Sequence, residues 1–225
     1  MNGKRIGRRT VALRTPPSVL SFANIGGRME GQGPLAKYFD ELCEDSFFGE
    51  KTWEKAESAM QERVLRRALE QAGLAPDELD YVLAGDLLNQ CIGSSFGLRD
   101  FSIPFFGLYG ACSTMGESLA LAAMLIDGGF AEKAAAQASS HFCTAERQYR
   151  MPVPYGSQRT PTAQWTATAA GCTLLSAQGP GPYITHVTCG KHTGSNNDTE
   201  DLGVAVAHTG EEFLRDFFRV GACND

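Results

Sequence analysis

Apolar residues recur at helical spacing between residues 52 and 72, which predicts an amphipathic helix. Thr52 precedes this pattern and Gly73 follows it, and both residue types are typical of helix caps at those positions. After a turn at Pro76-Asp77, the apolar run over residues 79–84 predicts a buried strand that ends at Gly85-Asp86. A helix followed by a strand is thus the first clear unit of the chain.

Further along, residues 103–109 predict a second strand, which stops at a turn containing Gly110. Residues 119–126 are hydrophobic on every side and end at Gly128-Gly129, which predicts a buried helix with a glycine C-cap. The remaining predicted elements are helices over 35–43, 87–100 and 204–218, strands over 134–138, 166–177 and 183–191, and an irregular excursion over 142–170. Alternating strands and helices predict an α/β fold with a sheet covered on both faces.

Composition and charge narrow the class of protein. The net charge is −6, which argues against general nucleic-acid binding, and no apolar run reaches the length of a membrane-spanning helix. The basic residues near the start, at positions 4, 5, 8 and 9, predict a solvated approach to an edge strand, with targeting or acidic-lipid contact as the alternative. Seven scattered cysteines without a C-x-x-C pair favour an intracellular protein with free thiols.

The turn at residues 110–114 carries the most informative chemistry. Cys112 precedes the predicted buried helix, and free backbone N–H groups at a helix N-terminus favour negative charge. A thiol in such a place tends towards a lowered pKa, and the same amides can hold an oxyanion or a bound carboxylate. The turn is therefore either a nucleophile site or an anion site, and a small residue filling a tight elbow is the plainer alternative.

Several motifs in this order resemble the thiolase superfamily and, within it, the stage V sporulation protein AD family. The motifs are residues 72–80 (AGLAPDELD), 83–90 (LAGDLLNQ), 110–114 (GACST), 127–129 (DGG), 139–141 (SSH) and 144–148 (TAERQ). The resemblance implies a thiolase-like layered fold, with helices on both faces of a mixed sheet and a buried helix after the Cys112 elbow. It also implies binding of dipicolinic acid for uptake into the developing spore, together with membrane-embedded sporulation proteins.

Thiolase-like chains consist of two similar half-domains, so the resemblance also predicts domain boundaries. Residues 1–190 correspond to an N-terminal half-domain, and residues 191–225 correspond to the beginning of a second one. We expect a truncated second half with an exposed apolar face where it would pack. By analogy we also expect a homodimer, located in the cell as a soluble protein or peripherally on a membrane of the developing spore.

Six residues are candidates for a ligand site. They are Cys112, Ser113, Asp86, Asn89, His141 and Arg147. Arg147 is the preferred cation for a dicarboxylate, with Tyr149 as a wall and Lys191 as a weaker cation; a salt bridge to Glu146 is the alternative role of Arg147. Asp86 has helix capping as its alternative role.

A metal ion at Cys112, His141 and Cys143 matches no standard ligand spacing, so we expect neither a metal nor a cofactor.

Three functions remain open from the sequence. The first is a non-catalytic dipicolinic acid-binding protein, as the resemblance implies. The second is a condensing enzyme (an acyltransferase) with acyl-CoA as substrate and Cys112 as catalytic nucleophile. The third is a scaffold that keeps the fold only to bind membrane partners.

Overall fold

The structure is a computed structural model that describes residues 4–149 and 165–189, with only the backbone of Tyr149. Its longest helix, α1, spans Trp53–Ala72 as predicted. The Thr52 side chain accepts a hydrogen bond from the Lys55 amide at 3.3 Å, and Gly73 adopts a left-handed φ of 65°. Both predicted caps are confirmed.

A mixed six-stranded sheet forms the centre of the larger of two compact units, residues 17–182. In spatial order its strands are β3 (Glu41–Leu42), β2 (Ser18–Gly26), β7 (Ala169–Ser176), β6 (Lys133–Ser140), β4 (Tyr81–Gly85) and β5 (Phe105–Gly107). Strand β7 runs antiparallel to both of its neighbours, whereas β6, β4 and β5 run parallel to one another. The predicted mixed sheet is confirmed.

Helices cover both faces of this sheet. On one face, α1 packs in a core with Val82 and Ala84 of β4, and α2 (Ile92–Leu98) lies beside α1. Because side chains alternate along a strand, Leu83 faces the other side, where α3 (Thr114–Asp127) contacts β4 and β6. The layered α/β prediction is therefore confirmed, and a helix follows the Cys112 elbow as predicted. This helix is only partly buried, with Leu121 37% exposed.

Two glycines allow unusually close approach in this unit. A Cβ at Gly85 would meet the Leu108 carbonyl oxygen at 2.0 Å, so only glycine lets the segment after β5 lie on the end of β4. At Gly97 of α2, a Cβ would meet the Ser58 carbonyl oxygen of α1 at 2.4 Å. The first contact brings the segments after β4 and β5 together, and the second allows α2 to pack closely against α1.

Some element predictions were wrong. Residues 35–43 form a 3₁₀ turn (Ala36–Tyr38) and the short strand β3 instead of a helix, because Asp40 and Asn24 exchange side-chain to backbone hydrogen bonds of 2.9 Å that hold this segment against β2. The predicted excursion over 142–170 begins with a helix, α4 (Phe142–Tyr149).

The smaller unit contains a two-stranded antiparallel sheet. Its strands are β1 (Thr10–Ala12) and β8 (His186–Thr188), paired Val11 to Val187. The predicted strand over 183–191 is thus shorter than expected. The proposed second half-domain at 191–225, its helix over 204–218 and the candidate Lys191 lie outside the described residues.

Over the part of the chain that the structure describes, no helix combines the length and apolar character needed to cross a bilayer.

Candidate functional site

Three candidate residues follow the carboxyl ends of neighbouring parallel strands. Asp86 follows β4, Cys112 lies beyond β5, and His141 follows β6, in the order β6-β4-β5 across the sheet. Ligands in α/β proteins commonly bind at this edge of a sheet. The topology thus puts the three segments at one edge, with the Asp86 segment in the middle.

Cys112 lies in an exposed 3₁₀ turn, Ala111–Ser113, directly before α3. Ala111 has a φ of 48°, a left-handed conformation that costs a non-glycine residue free energy. The Ser113 hydroxyl donates to the Gly110 carbonyl at 2.8 Å and so closes the turn. The thiol is therefore open to solvent on a strained backbone, while the neighbouring hydroxyl already has a structural partner.

Asp86 is fully buried, and its carboxylate is surrounded by donors. It accepts hydrogen bonds from the Leu88 amide at 2.9 Å, the Ser94 amide at 2.7 Å and the Ser94 hydroxyl at 2.5 Å. These bonds tie the turn after β4 to the first turn of α2. The helix begins at Ile92 instead of residue 87, so Asp86 is not its N-cap residue, although it accepts from an amide of its first turn. Asn89, three residues further, is exposed.

His141 is buried at 1% exposure, and both ring nitrogens have backbone partners. Nε2 lies 2.8 Å from the Ser46 carbonyl oxygen, which can only accept, so Nε2 carries the hydrogen. Nδ1 accepts from the Cys143 amide at 3.2 Å. Burial lowers the pKa of the imidazole, against the opposing effect of the Ser46 hydrogen bond, so the ring is held neutral in one orientation.

Arg147 of α4 pairs with a residue that the sequence alone did not indicate. Its guanidinium binds the Glu54 carboxylate of α1 and lies over the Trp53 ring, 5.0 Å from the centroid. The ion pair is largely exposed, so it is a weak constraint on α4. The Tyr149 side chain lies outside the described residues.

A cleft of about 490 Å³ opens beside His141, within the usual size range of small-molecule sites. The Phe142 and Trp165 rings form an aromatic wall, with centroids 4.8 Å apart. Polar groups of Arg28, Glu30 and Gln32 line the same cleft. Of the six candidate residues, His141 belongs to this lining.

The segment after β2 is the part of the cleft that sequence reasoning missed. Gly27 and the following residues form one side of the cleft. Strand β2 is parallel to β6, because β7 runs antiparallel to both, so its carboxyl end reaches the same edge of the sheet. The available signal was a Gly-Gly-Arg-Met-Glu sequence directly after a strand.

No grouping of three or more His, Cys, Asp or Glu residues suited to a metal ion occurs within residues 4–149 and 165–189. The six described cysteines are free thiols, and burial raises the pKa of Cys91 and of Cys143. Exposed Cys112 thus differs from these two thiols in its surroundings.

The structure is thus a layered α/β protein, with a mixed sheet between helices and a cysteine turn before α3. Among solved structures, the chain is similar to 3-oxoacyl-[acyl-carrier-protein] synthase III from Aquifex aeolicus, with a TM-score of 0.46, 16% identity, and coverage of 71% of this chain and 53% of that one. The corresponding synthase from Pseudomonas aeruginosa gives a TM-score of 0.45 and 16% identity, over 73% of this chain and 52% of that one.

Sequence relationships identify the family. The profile of stage V sporulation protein AD (SpoVAD) matches residues 7–222. The stage V sporulation protein AD of Bacillus subtilis is 39% identical over 218 residues, which cover 96% of this chain and 64% of that protein. The chain therefore belongs to the stage V sporulation protein AD family, and it spans somewhat less than two thirds of this relative's length.

Proposed function

We propose that this chain binds dipicolinic acid in the cleft beside His141 and takes part, without catalysing a reaction, in delivering it to the developing spore. Family membership motivates the choice of ligand. The cleft is the observation that supports binding most directly, because it combines the features that a planar aromatic dicarboxylate requires. Membrane-embedded sporulation proteins are the proposed partners, and a homodimer is the proposed assembly.

The chemistry of the lining agrees with such a ligand. The Phe142 and Trp165 rings, tilted by 31° to each other, offer aromatic surface on which a pyridine ring can pack. Arg28 is largely exposed and lies 3.7 Å from the Glu44 carboxylate, a loose contact that a ligand carboxylate can replace with a charge-assisted hydrogen bond. Glu30 disfavours an anion, so we place the ligand carboxylates towards Arg28 and Gln32.

His141 supports binding over proton transfer. A general base needs a ring nitrogen free to accept the proton of the nucleophile, and both nitrogens of His141 already have backbone partners. The neutral ring therefore serves as a fixed wall of the cleft.

Calorimetric titration with dipicolinic acid tests the proposal. We expect saturable binding that weakens at least about tenfold in Arg28→Gln and in Trp165→Ala, since each removes an anchoring contact. Glu30→Gln should tighten binding, because it keeps the oxygen that accepts from the Thr168 amide at 3.0 Å and removes the negative charge. Isophthalic acid, which lacks the ring nitrogen, is the ligand control.

Matched controls separate the cleft from the cysteine turn. Arg99→Gln changes an arginine outside the lining, and Phe130→Ala removes a 72% exposed ring, so both should bind like the parent chain. If Cys112→Ala abolishes binding while Trp165→Ala leaves it intact, the ligand belongs at the Cys112 turn. Absence of saturable binding by the parent chain would contradict the proposed function.

The exposed thiol on a strained turn favours one second candidate, an acyl-CoA-dependent condensing enzyme with Cys112 as nucleophile. Intact-mass spectrometry after incubation with acyl-CoA decides this case. An acyl adduct that Cys112→Ala removes would support chemistry at the turn, and an unmodified mass with several acyl-CoAs would rule it out.

A further inference from the structure

A buried polar cluster lies between α1 and the carboxyl ends of β4 and β6, next to the candidate site. Its members are all buried polar side chains: Glu57, Gln61, Asp86, Ser94, Gln137, Ser139 and Thr144. Gln61 links several of them, because its Nε2 donates to the Gly85 carbonyl at 3.0 Å and to the Ser139 hydroxyl at 2.8 Å. We call this set the Glu57 cluster, since the Glu57 carboxyl group contacts both Ser139 and Thr144.

Glu57 joins the two turns that carry Asp86 and His141. Its Oε1 accepts from the Ser139 hydroxyl at 3.0 Å, and its Oε2 lies 2.7 Å from the Thr144 hydroxyl. The Leu87 amide also donates to this carboxyl group. One side chain of α1 therefore contacts the end of β6, the first turn of α4 and the segment after β4.

The Thr144 hydroxyl is the decisive group, because it has one hydrogen and two acceptors. Its oxygen lies 2.7 Å from Glu57 Oε2 and 2.9 Å from the His141 carbonyl oxygen. When Glu57 is ionised, the carboxylate can only accept, so Thr144 donates to it. When Glu57 is protonated, its own O–H can donate to the Thr144 oxygen, and the Thr144 hydrogen turns to the His141 carbonyl.

The surroundings make this choice depend on pH near neutrality. Burial, and then the charge of Asp86, raise the pKa of Glu57 to about 7, against the hydrogen bonds that it accepts. Asp86 faces Glu57 from the end of β4, and Ser94 of α2 and Ser139 of β6 contribute hydroxyl groups. On α1 and α4, Glu54 and Arg147 pair with each other. Burial lowers the pKa of neighbouring His141, which favours its neutral form.

We propose that Glu57 is a positioning residue for the cleft: by gaining or losing one proton it switches the Thr144 hydroxyl between the His141 carbonyl and its own carboxylate. Protonation fixes the His141 turn, and ionisation releases one of the bonds that hold it. Ligand affinity should therefore be higher below neutral pH than above it. This last consequence rests on the proposed function, whereas the switch itself does not.

The ligand-independent test follows the ¹³C signal of the His141 carbonyl carbon with pH in the full chain. We expect a shift with a midpoint near 7 in the parent chain, where Glu57 titrates. The shift should vanish in Glu57→Gln and in Thr144→Val, and return in Thr144→Ser, which restores the hydroxyl. A shift that persists in Glu57→Gln belongs to another group and would overturn the switch, as would a flat signal in the parent chain.

The ligand test measures dipicolinic acid affinity at pH 6 and pH 8, between which both carboxyl groups of the ligand stay ionised. We expect affinity to fall by about fivefold or more in the parent chain, the lower end of usual coupling between sites, and to be constant in Glu57→Gln. Thr144→Val separates the switch from plain charge repulsion, because it keeps the Glu57 charge. Equal pH dependence in Thr144→Val and the parent chain would overturn the positioning role.

The two failures are distinguishable. If the parent chain binds no dipicolinic acid at either pH, the proposed function fails and the carbonyl signal alone decides the switch. If it binds equally at both pH values while the carbonyl signal still titrates, the proposed function stands and the link between Glu57 and the ligand is wrong.

Discussion

The turn before α3 and the turn before α4 occupy similar places in the fold but differ in how far they bury their key residue. Both follow parallel strands at one edge of the sheet, and each carries a residue that the sequence marks as chemically active. Cys112 is exposed on a turn with a left-handed residue before it, whereas His141 is buried with both ring nitrogens bonded. The comparison teaches that residue type and strand-end position predict where a site lies, while burial decides which residue can react.

The largest expected difference is in the rate of thiol modification between an exposed and a buried cysteine. We expect iodoacetamide to label Cys112 at least about a thousandfold faster than Cys172, because Cys172 is fully buried in β7 and its thiol reacts only after an opening of the core. Peptide mass spectrometry resolves the two sites, and urea-unfolded chain is the control in which both should react alike. Comparable rates in the folded chain would mean that Cys112 is shielded.

Substitutions of His141 and Cys112 should differ in their effect on the free energy of unfolding. His141→Leu removes the part-buried hydrogen bonds to the Ser46 carbonyl and from the Cys143 amide, which should cost about 1–3 kcal/mol of the free energy of unfolding. Cys112→Ala, the matched control on the other turn, should change it by less than about 0.5 kcal/mol. Urea denaturation with unchanged m-values measures both, and equal losses would abolish the distinction between the turns.

Relieving the backbone strain at the Cys112 turn should increase the stability of the fold. Ala111→Gly should raise the free energy of unfolding by about 0.5–1 kcal/mol, because glycine adopts the φ of 48° without steric cost. Ala131→Gly, at a buried position elsewhere in the unit, should instead lower stability. Denaturation midpoints of the two variants are the measurement, and a loss in Ala111→Gly would show that the turn is unstrained.

The smallest change in the free energy of unfolding is expected for a substitution of Arg147. Arg147→Gln removes an exposed ion pair with Glu54 and the contact with the Trp53 ring, together about 0.5 kcal/mol. The loss should shrink in 1 M salt, where the ion pair is screened. Arg66→Gln, which breaks another exposed ion pair on α1, is the control of similar size.

The sequence pattern was sufficient for the elements whose boundaries depend on local chemistry. Thr52 and Gly73 delimited α1 because their capping bonds involve near neighbours, and the alanine-rich strand β6 was predicted in the segment after the helix that ends at Gly128-Gly129. It failed at residues 35–43, where the partners of Asp40 lie on β2. It also failed at the start of α4, within a polar stretch rich in turn-forming residues.

The sequence pattern predicted only part of the candidate site. Alignment of the Asp86, Cys112 and His141 segments at one edge follows from strand–helix alternation. Asp86 binds Ser94 across the turn between β4 and α2, and Arg147 of α4 pairs with Glu54 of α1; periodicity specifies neither contact. The cleft itself requires four segments distant in sequence, so no single motif marks it.

The position of β7 governs how the sheet can assemble during synthesis. Strand β2 pairs with β3 at only two residues, and its long ladder forms with β7, from Ser18 opposite Ser176 to Gly26 opposite Ala169. Most of the described chain must therefore leave the ribosome before β2 gains its main partner. Until then, α1 can pack only against an unpaired β2 in this part of the sheet. A growing chain that stops short of Ala169 therefore exposes a strand edge that can pair wrongly.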